Sequence, residues 1–120
     1  GIVGHVIHSS TKSSKVLLIT DSRSAIDSLF QETRTSGVTV GTGEKKCQMK
    51  FVPISAEVNI GDKVISSGLG GVFPKGLLVG VVGDAVKQKQ ELFQDITVIP
   101  AVDLSNLEEV VVILRDKEGE

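Results

Sequence analysis

The residue types of a hydrolytic triad are present in this chain, but they are scattered. Ser66 and Ser67 stand side by side before Gly68, and Asp21, His5 and His8 could supply an acid and a base. A nucleophilic serine needs a base within hydrogen-bond reach and a third group that orients the base. Ser67 is not framed as Gly-x-Ser-x-Gly, and neither histidine lies in a motif that would aim it, so no catalytic residue is assigned. His5 and His8 also resemble a metal pair. In an unbroken strand, residues three apart point to opposite faces, and third and fourth ligands are missing, so no metal ligand is expected. Cys47 is the lone cysteine, which excludes an internal disulfide or a cysteine-rich zinc site. Its alternation with Met49 and Phe51 reads as a buried, inert thiol on the apolar side of a strand. Gly68-Leu-Gly-Gly71 lacks the third glycine of a dinucleotide fingerprint, and a proline turn follows where a helix would be needed. Gly41-Thr-Gly43 fails in the same way, and no Gly-Lys-Ser/Thr occurs, so no cofactor is expected.

The residues left with functional potential sit in the run from Asn59 to Val82, which packs six glycines and one proline between two apolar segments. Such density specifies sharp changes of chain direction, and Gly61, Asp62, Gly68, Gly70, Gly71 and Gly76 are read as its structural turn positions. The loop between the turns carries Leu69, Val72, Phe73 and Pro74, too apolar for a loop exposed throughout. Two readings stand beside each other. These side chains cap their own β-core, or some form a partner-binding anchor on a rigid turn.

The elements around that run read as strands. Ile2–His8 alternates, Ser9–Ser14 is a polar turn, and Lys15–Thr20 is a continuous apolar run that suggests burial on both faces. Ser24–Arg34 is ambiguous: Ile26, Leu29, Phe30 and Thr33 have helical spacing, and Ser24-Ala-Ile-Asp27 could be a capping box. Gly37–Gly41, Cys47–Phe51 with its apolar side inward, Val64–Ser66, Leu77–Val82 and Phe93–Ile99 read as further strands. Asp103–Leu107 suggests one helical turn, Glu109–Leu114 a last strand, and Arg115–Glu120 a charged, frayed tail. Many short strands with glycine-rich turns predict an all-β fold, a small Greek-key-like barrel or sandwich of antiparallel strands.

Composition agrees. With 120 residues the chain suits one compact domain or two very small ones, and its 40% hydrophobic content without Trp or Tyr implies a core of Val, Ile and Leu. A net charge of -2 with no basic block, and no Trp or Tyr for base stacking, argues against a nucleic-acid partner. No stretch reaches the ~20 apolar residues that span a bilayer, and no signal-peptide pattern opens the chain. Because Gly1-Ile-Val3 starts inside a strand pattern, the chain reads as excised from a longer protein.

Val64-Ile-Ser-Ser-Gly-Leu-Gly-Gly-Val-Phe-Pro-Lys-Gly-Leu-Leu-Val-Gly80 resembles the signature of the MreC family of bacterial rod shape-determining proteins. Gly1-Ile-Val-Gly-His-Val6, Val16–Asp21, Gly41–Gly43, Gly61-Asp62, Pro100–Leu104 and Leu107–Val111 extend the likeness in the family's order over nearly the whole chain. The resemblance implies a strand, not a helix, after a turn at Asp21–Ser24. It implies a barrel domain over 1–114, in which strands after about residue 85 belong partly to a second, incomplete barrel, with 115–120 as tail. It implies an extracytoplasmic, periplasmic-side location, with a membrane anchor and coiled coil preceding this point in the parent protein. It further implies a non-enzymatic scaffold of the elongation machinery that contacts a class B penicillin-binding protein and MreD, links indirectly to MreB, and self-associates into dimers or filaments. Because MreC barrels are likened to chymotrypsin-type barrels, a cryptic serine hydrolase is one alternative. A small barrel binding a cell-wall fragment is another, weakened by the scarcity of aromatic platforms.

Overall fold

The computed structural model describes residues 1–9 and 14–104. It holds eight strands: β1 (Gly4–Ser9), β2 (Ser14–Leu18), β3 (Ala25–Phe30), β4 (Ser36–Gly41), β5 (Cys47–Lys50), β6 (Lys63–Ser66), β7 (Leu78–Val86) and β8 (Asp95–Pro100). β1 and β2 form a separate hairpin, and the other six close an antiparallel barrel in the order β3-β4-β5-β8-β7-β6. Closure comes from β6 returning to β3, with Ser28 opposite Ser66 and Phe30 opposite Val64. The all-β expectation therefore holds, and closure leaves these six strands no free barrel edge.

Alternation builds the core. Ile26 and Phe30 of β3, Cys47 and Met49 of β5, Val64 of β6, Val79 and Val82 of β7, and Ile96 and Val98 of β8 all point inward. Each fully buried aliphatic or Phe side chain stabilises the fold by about 1.5–3 kcal/mol. Residues 25–30 are strand, as the family likeness implies; the helical spacing around Ile26 and Phe30 is coincidental. Between those two lies Ser28, buried and polar. Its hydroxyl donates to the Ile26 carbonyl (2.8 Å) and accepts from Thr39 Oγ1 (2.9 Å), so the inward face carries a satisfied polar pair that hydropathy conceals.

Three expectations are corrected. The run Lys15–Thr20 is not buried on both faces: Leu17 and Ile19 are buried, whereas Val16 and Leu18 are exposed, because the hairpin lays one side only on the barrel. A bulge between Val6 and His8 interrupts β1, so the opposite-face argument for the two histidines does not apply across it. No group of three His, Cys, Asp or Glu residues suited to a metal exists among the described residues. Phe51 does not continue the inward side of β5. It adopts a left-handed φ of 67° and turns its ring outward, a conformation that costs an L-residue about 1–2 kcal/mol. β8 lies between β5 and β7 in this barrel. The Ser9–Ser14 turn, the Asp103–Leu107 turn and the Glu109–Leu114 strand fall wholly or mainly outside the described residues, and the 115–120 tail entirely.

Since every neighbouring pair in the barrel is antiparallel, the barrel has two distinct ends. At one, here the near end, lie the starts of β3, β5 and β7 and the ends of β4, β6 and β8. The hairpin docks there: Ile2 N donates to Leu78 O (2.8 Å), Ile19 N to Val3 O (2.9 Å), and Ile2 and Ile19 join the barrel's core. At the same end, Gly41 passes so close to the Asp21 turn that a Cβ would sit 2.0 Å from the Asp21 carbonyl oxygen. The far end carries the 31–35, 51–62 and 87–94 connections.

Candidate functional site

The loop between β6 and β7, residues 67–77, projects from the near end beside the hairpin. Left-handed φ values at Gly68, Gly70, Gly71 and Gly76 make its successive turns, and Gly61 (φ 93°) makes the turn before β6. Asp62 braces that earlier turn by accepting from Asn59 N through its carboxylate (2.9 Å). All six turn residues singled out in the sequence thus lie in turns or beside them, five with positive φ.

Ser66 ties the loop's two ends. Its backbone N donates to Leu77 O and its carbonyl accepts from Gly76 N, both at 2.8 Å. Its hydroxyl donates to Pro74 O and accepts from Leu77 N (2.9 Å). Ser67 N donates to Asp27 O (2.9 Å), fastening the loop to β3, and Ser67 Oγ accepts from Leu69 N (3.2 Å). Both serines therefore shape the loop. Asp21 and His5 are engaged as well. Asp21 takes two side-chain hydrogen bonds from Arg23, which hold its carboxyl at about 2, below its ordinary range. His5 stacks edge-on against Phe73 with ring centroids 5.5 Å apart. Cys47 is buried with Sγ 3.4 Å from Ile19 O, and burial pushes its thiol up to about 11, so it is a core residue as its alternation suggested.

The structure divides the four apolar loop residues. Phe73 is 7% exposed and packs into the barrel core under His5, and Pro74 is half-buried, its carbonyl held by Ser66. Leu69 and Val72 are 68% and 53% exposed on the outer side of the same loop. Phe73 is the loop's root, and Leu69 and Val72 are its tip. The core-cap reading describes Phe73, while Leu69 and Val72 lie outside the core.

Sequence reasoning missed a second apolar feature, at the far end. Phe51 and Phe93 stack edge-to-face with centroids 5.7 Å apart, and Leu92 beside them is 77% exposed. Their backbones are firmly held. Val52 is fully buried, Gln94 N donates to Val52 O (3.0 Å), Ile54 N to Leu92 O (2.9 Å), and Gln94 Nε2 donates to both Pro53 O and Ala56 O (2.9 Å each). The one sequence signal was an aromatic at position 51 just before Val52-Pro53, where strand alternation would place it inside.

A small closed antiparallel barrel with a docked hairpin and a braced, glycine-rich loop at one end defines a compact all-β barrel protein. The chain belongs to the MreC family: the barrel-core model of rod shape-determining protein MreC matches residues 1–114. It is 30% identical to the cell shape-determining protein MreC of Listeria monocytogenes over 99% of this chain and 42% of that protein. Against the Escherichia coli K12 protein of the same name it is 29% identical over 99% of this chain and 33% of the relative. The chain thus spans less than half the length of these two relatives. Among solved structures, one of MreC superposes with TM-score 0.86 at 27% identity, covering 89% of this chain and 61% of that one. MreC from Pseudomonas aeruginosa gives 0.71 at 30% identity over 72% of this chain and 57% of that one. A Helicobacter pylori chain from a complex between penicillin-binding protein PBP2 and MreC shares the fold at TM-score 0.67 and 23% identity, covering 84% of this chain and 63% of that one.

Proposed function

We propose that this chain is the extracytoplasmic interaction region of a non-enzymatic MreC scaffold that helps determine cell shape by binding a class B penicillin-binding protein. In the same reading, the parent protein is anchored in the inner membrane, also contacts MreD, is linked indirectly to MreB, and self-associates. Family membership is the foundation, and the existence of a PBP2–MreC complex for a protein of the same fold supports the choice of partner. The single observation that carries the binding-module reading is the division of the central loop: Phe73 buried as a root, Leu69 and Val72 exposed as a tip on a backbone braced by Ser66. An apolar group already fixed in position loses little conformational freedom on binding, so it makes an efficient contact. Leu69, Val72, and Phe73 and Pro74 through their support of the tip, form one partner contact.

The test is an NMR titration of the labelled chain with the extracytoplasmic region of the cognate class B penicillin-binding protein. Saturable shifts on the barrel are expected, and Leu69→Ser with Val72→Ser should weaken binding about tenfold with spectra otherwise folded. A folded wild type that shows no shifts at any ratio refutes this reading.

A further inference from the structure

Among the described residues, His5 Nδ1, Ser24 Oγ and Gln94 Oε1 are buried side-chain polar atoms without a hydrogen-bond partner. Of these, His5 alone carries a group that gains and loses a proton near neutral pH; an imidazole in water titrates at ~6.5. It also stands where a proton would have a mechanical effect. His5 lies opposite buried Leu17 in the β1–β2 ladder, on the face that the hairpin turns to the barrel. There its ring packs edge-on with buried Phe73, centroids 5.5 Å apart.

A neutral imidazole fits this place by carrying its one proton on Nε2 and leaving Nδ1 as a bare lone pair. An imidazolium carries a proton on both nitrogens. Its Nδ1–H would be a buried donor with no acceptor, which costs free energy. The surroundings do not offset that cost. The elements packed against His5 are β2 and the 67–77 loop, and their charged residues are Lys15, opposite His8 in the ladder, and Lys75. Both are cations. Asp27 of β3 meets the loop at Gly70 rather than at Phe73, Asp21 is bonded to Arg23, and Asp103 follows Ala101 and Val102, which stand against Gly1. The hairpin that carries His5 is lightly held, with one ladder where each barrel strand has two.

We propose that the β1–β2 hairpin is a proton-released cover of the central loop: neutral His5 holds it closed over Phe73, and protonation of His5 favours its undocking. Once the hairpin leaves, the imidazolium is hydrated, so the open form binds the extra proton. Closure is therefore strongest when the imidazole is neutral and weakens as pH falls from about 8 to 5. Each opening uncovers Phe73, the root of the loop, so the tip at Leu69 and Val72 is fixed at neutral pH and loosened in acid. This goes beyond the scaffold reading and does not depend on which partner that reading names.

Native-state hydrogen exchange of the labelled chain at pH 8 and pH 5 tests it, read as protection factors so that the intrinsic pH dependence of exchange drops out. The reporters are the amides of Ile2, bonded to Leu78 O, and Ile19, bonded to Val3 O. Their protection should stay below that of Val64, Val82 and Val98 at both pH values and should fall about fivefold from pH 8 to pH 5. Asp21, its carboxyl held at about 2, takes no part in this window. His5→Phe keeps a ring against Phe73 and cannot be protonated, and His5→Gln cannot be protonated either; whichever of them folds should show no fall. His8→Gln should behave as the wild type. A flat wild-type profile, a gain of protection in acid, or a fall that survives in the His5 variants overturns the proposal. So does a fall that disappears in His8→Gln, which would move the effect to the other histidine. Reporter amides as protected as those of the barrel overturn it as well, because no separate undocking would then exist.

Discussion

Individual residues in the central loop differ sharply in what they contribute, and stability measurements should separate them. Phe73 is a buried root, so Phe73→Ala should cost about 3–5 kcal/mol in denaturant unfolding. Leu69→Ser, at an exposed tip, should change stability by no more than about 0.5 kcal/mol. Ser66→Ala leaves the part-buried Leu77 N–H without its side-chain partner and should cost about 1–2 kcal/mol, with chemical-shift changes confined to residues 67–77. Asp21 gives the pH dependence. Arg23 lowers its carboxyl from 3.8 to about 2, so the pair stabilises the fold above the unfolded value, and that contribution is lost as pH falls from about 4 toward 2. Asp21 and Arg23 are exposed at a turn, so the effect is small. It is read as a difference: between pH 4 and 2, Asp21→Asn should lose less stability than the wild type. Equal acid profiles would mean that the pair contributes nothing in solution.

At the scale of elements, the sequence discloses strands well where one alternating rule applies, and poorly where two demands meet in one residue. β4, β5 and β8 are readable because their inward residues recur at every second position. β3 is obscured because its middle inward residue is Ser28, whose partner Thr39 comes from the neighbouring strand; no local pattern reveals a cross-strand hydroxyl pair. The outward turn of Phe51 is hidden for a related reason. Phe is a good strand former and a poor left-handed residue, so local propensity points inward while the bulge, braced by Gln94 just before β8, turns it out. In the central loop the glycine turns were legible one by one. The split between Phe73 and its neighbours depends on His5, some 68 positions earlier in the chain, and no spacing rule reports it. Close backbone approach gives this scale its own prediction. A Cβ on Gly80 would lie 2.1 Å from the Ile99 carbonyl oxygen, across the β7–β8 pairing. Gly80→Ala should therefore destabilise by about 1–3 kcal/mol or more, with the largest shift changes along β7 and β8. A neutral effect would mean that the two strands can separate locally without cost.

For the whole molecule, the decisive asymmetry lies between the closed barrel and the hairpin. Each barrel strand is hydrogen-bonded on both sides, and opening any one of them breaks two ladders and exposes a shared core of Phe30, Met49, Val64, Val82 and Val98. The hairpin has one ladder, and it meets the barrel through Ile2, Leu17 and Ile19 while Val6, Val16 and Leu18 face outward. Local opening free energies follow the contacts that each opening breaks. Hydrogen exchange under native conditions should therefore resolve two levels. Amides of Val64, Val82 and Val98 should exchange only through global unfolding, with rates that rise with denaturant as steeply as the unfolding equilibrium. Amides in the β1–β2 ladder, such as those of Val6 and Val16, should exchange through a smaller opening with a weaker denaturant dependence. That opening also has a consequence at the near end, because His5 leaves with β1 and uncovers Phe73. Leu69 and Val72 should thus share the hairpin's opening rather than the barrel's, while the Phe51–Phe93 pair stays fixed to β5 and β8. If hairpin and barrel amides instead merge into a single exchange level at low denaturant, the hairpin is an integral part of the barrel's cooperative unit. The two ends of the module would then be equally rigid.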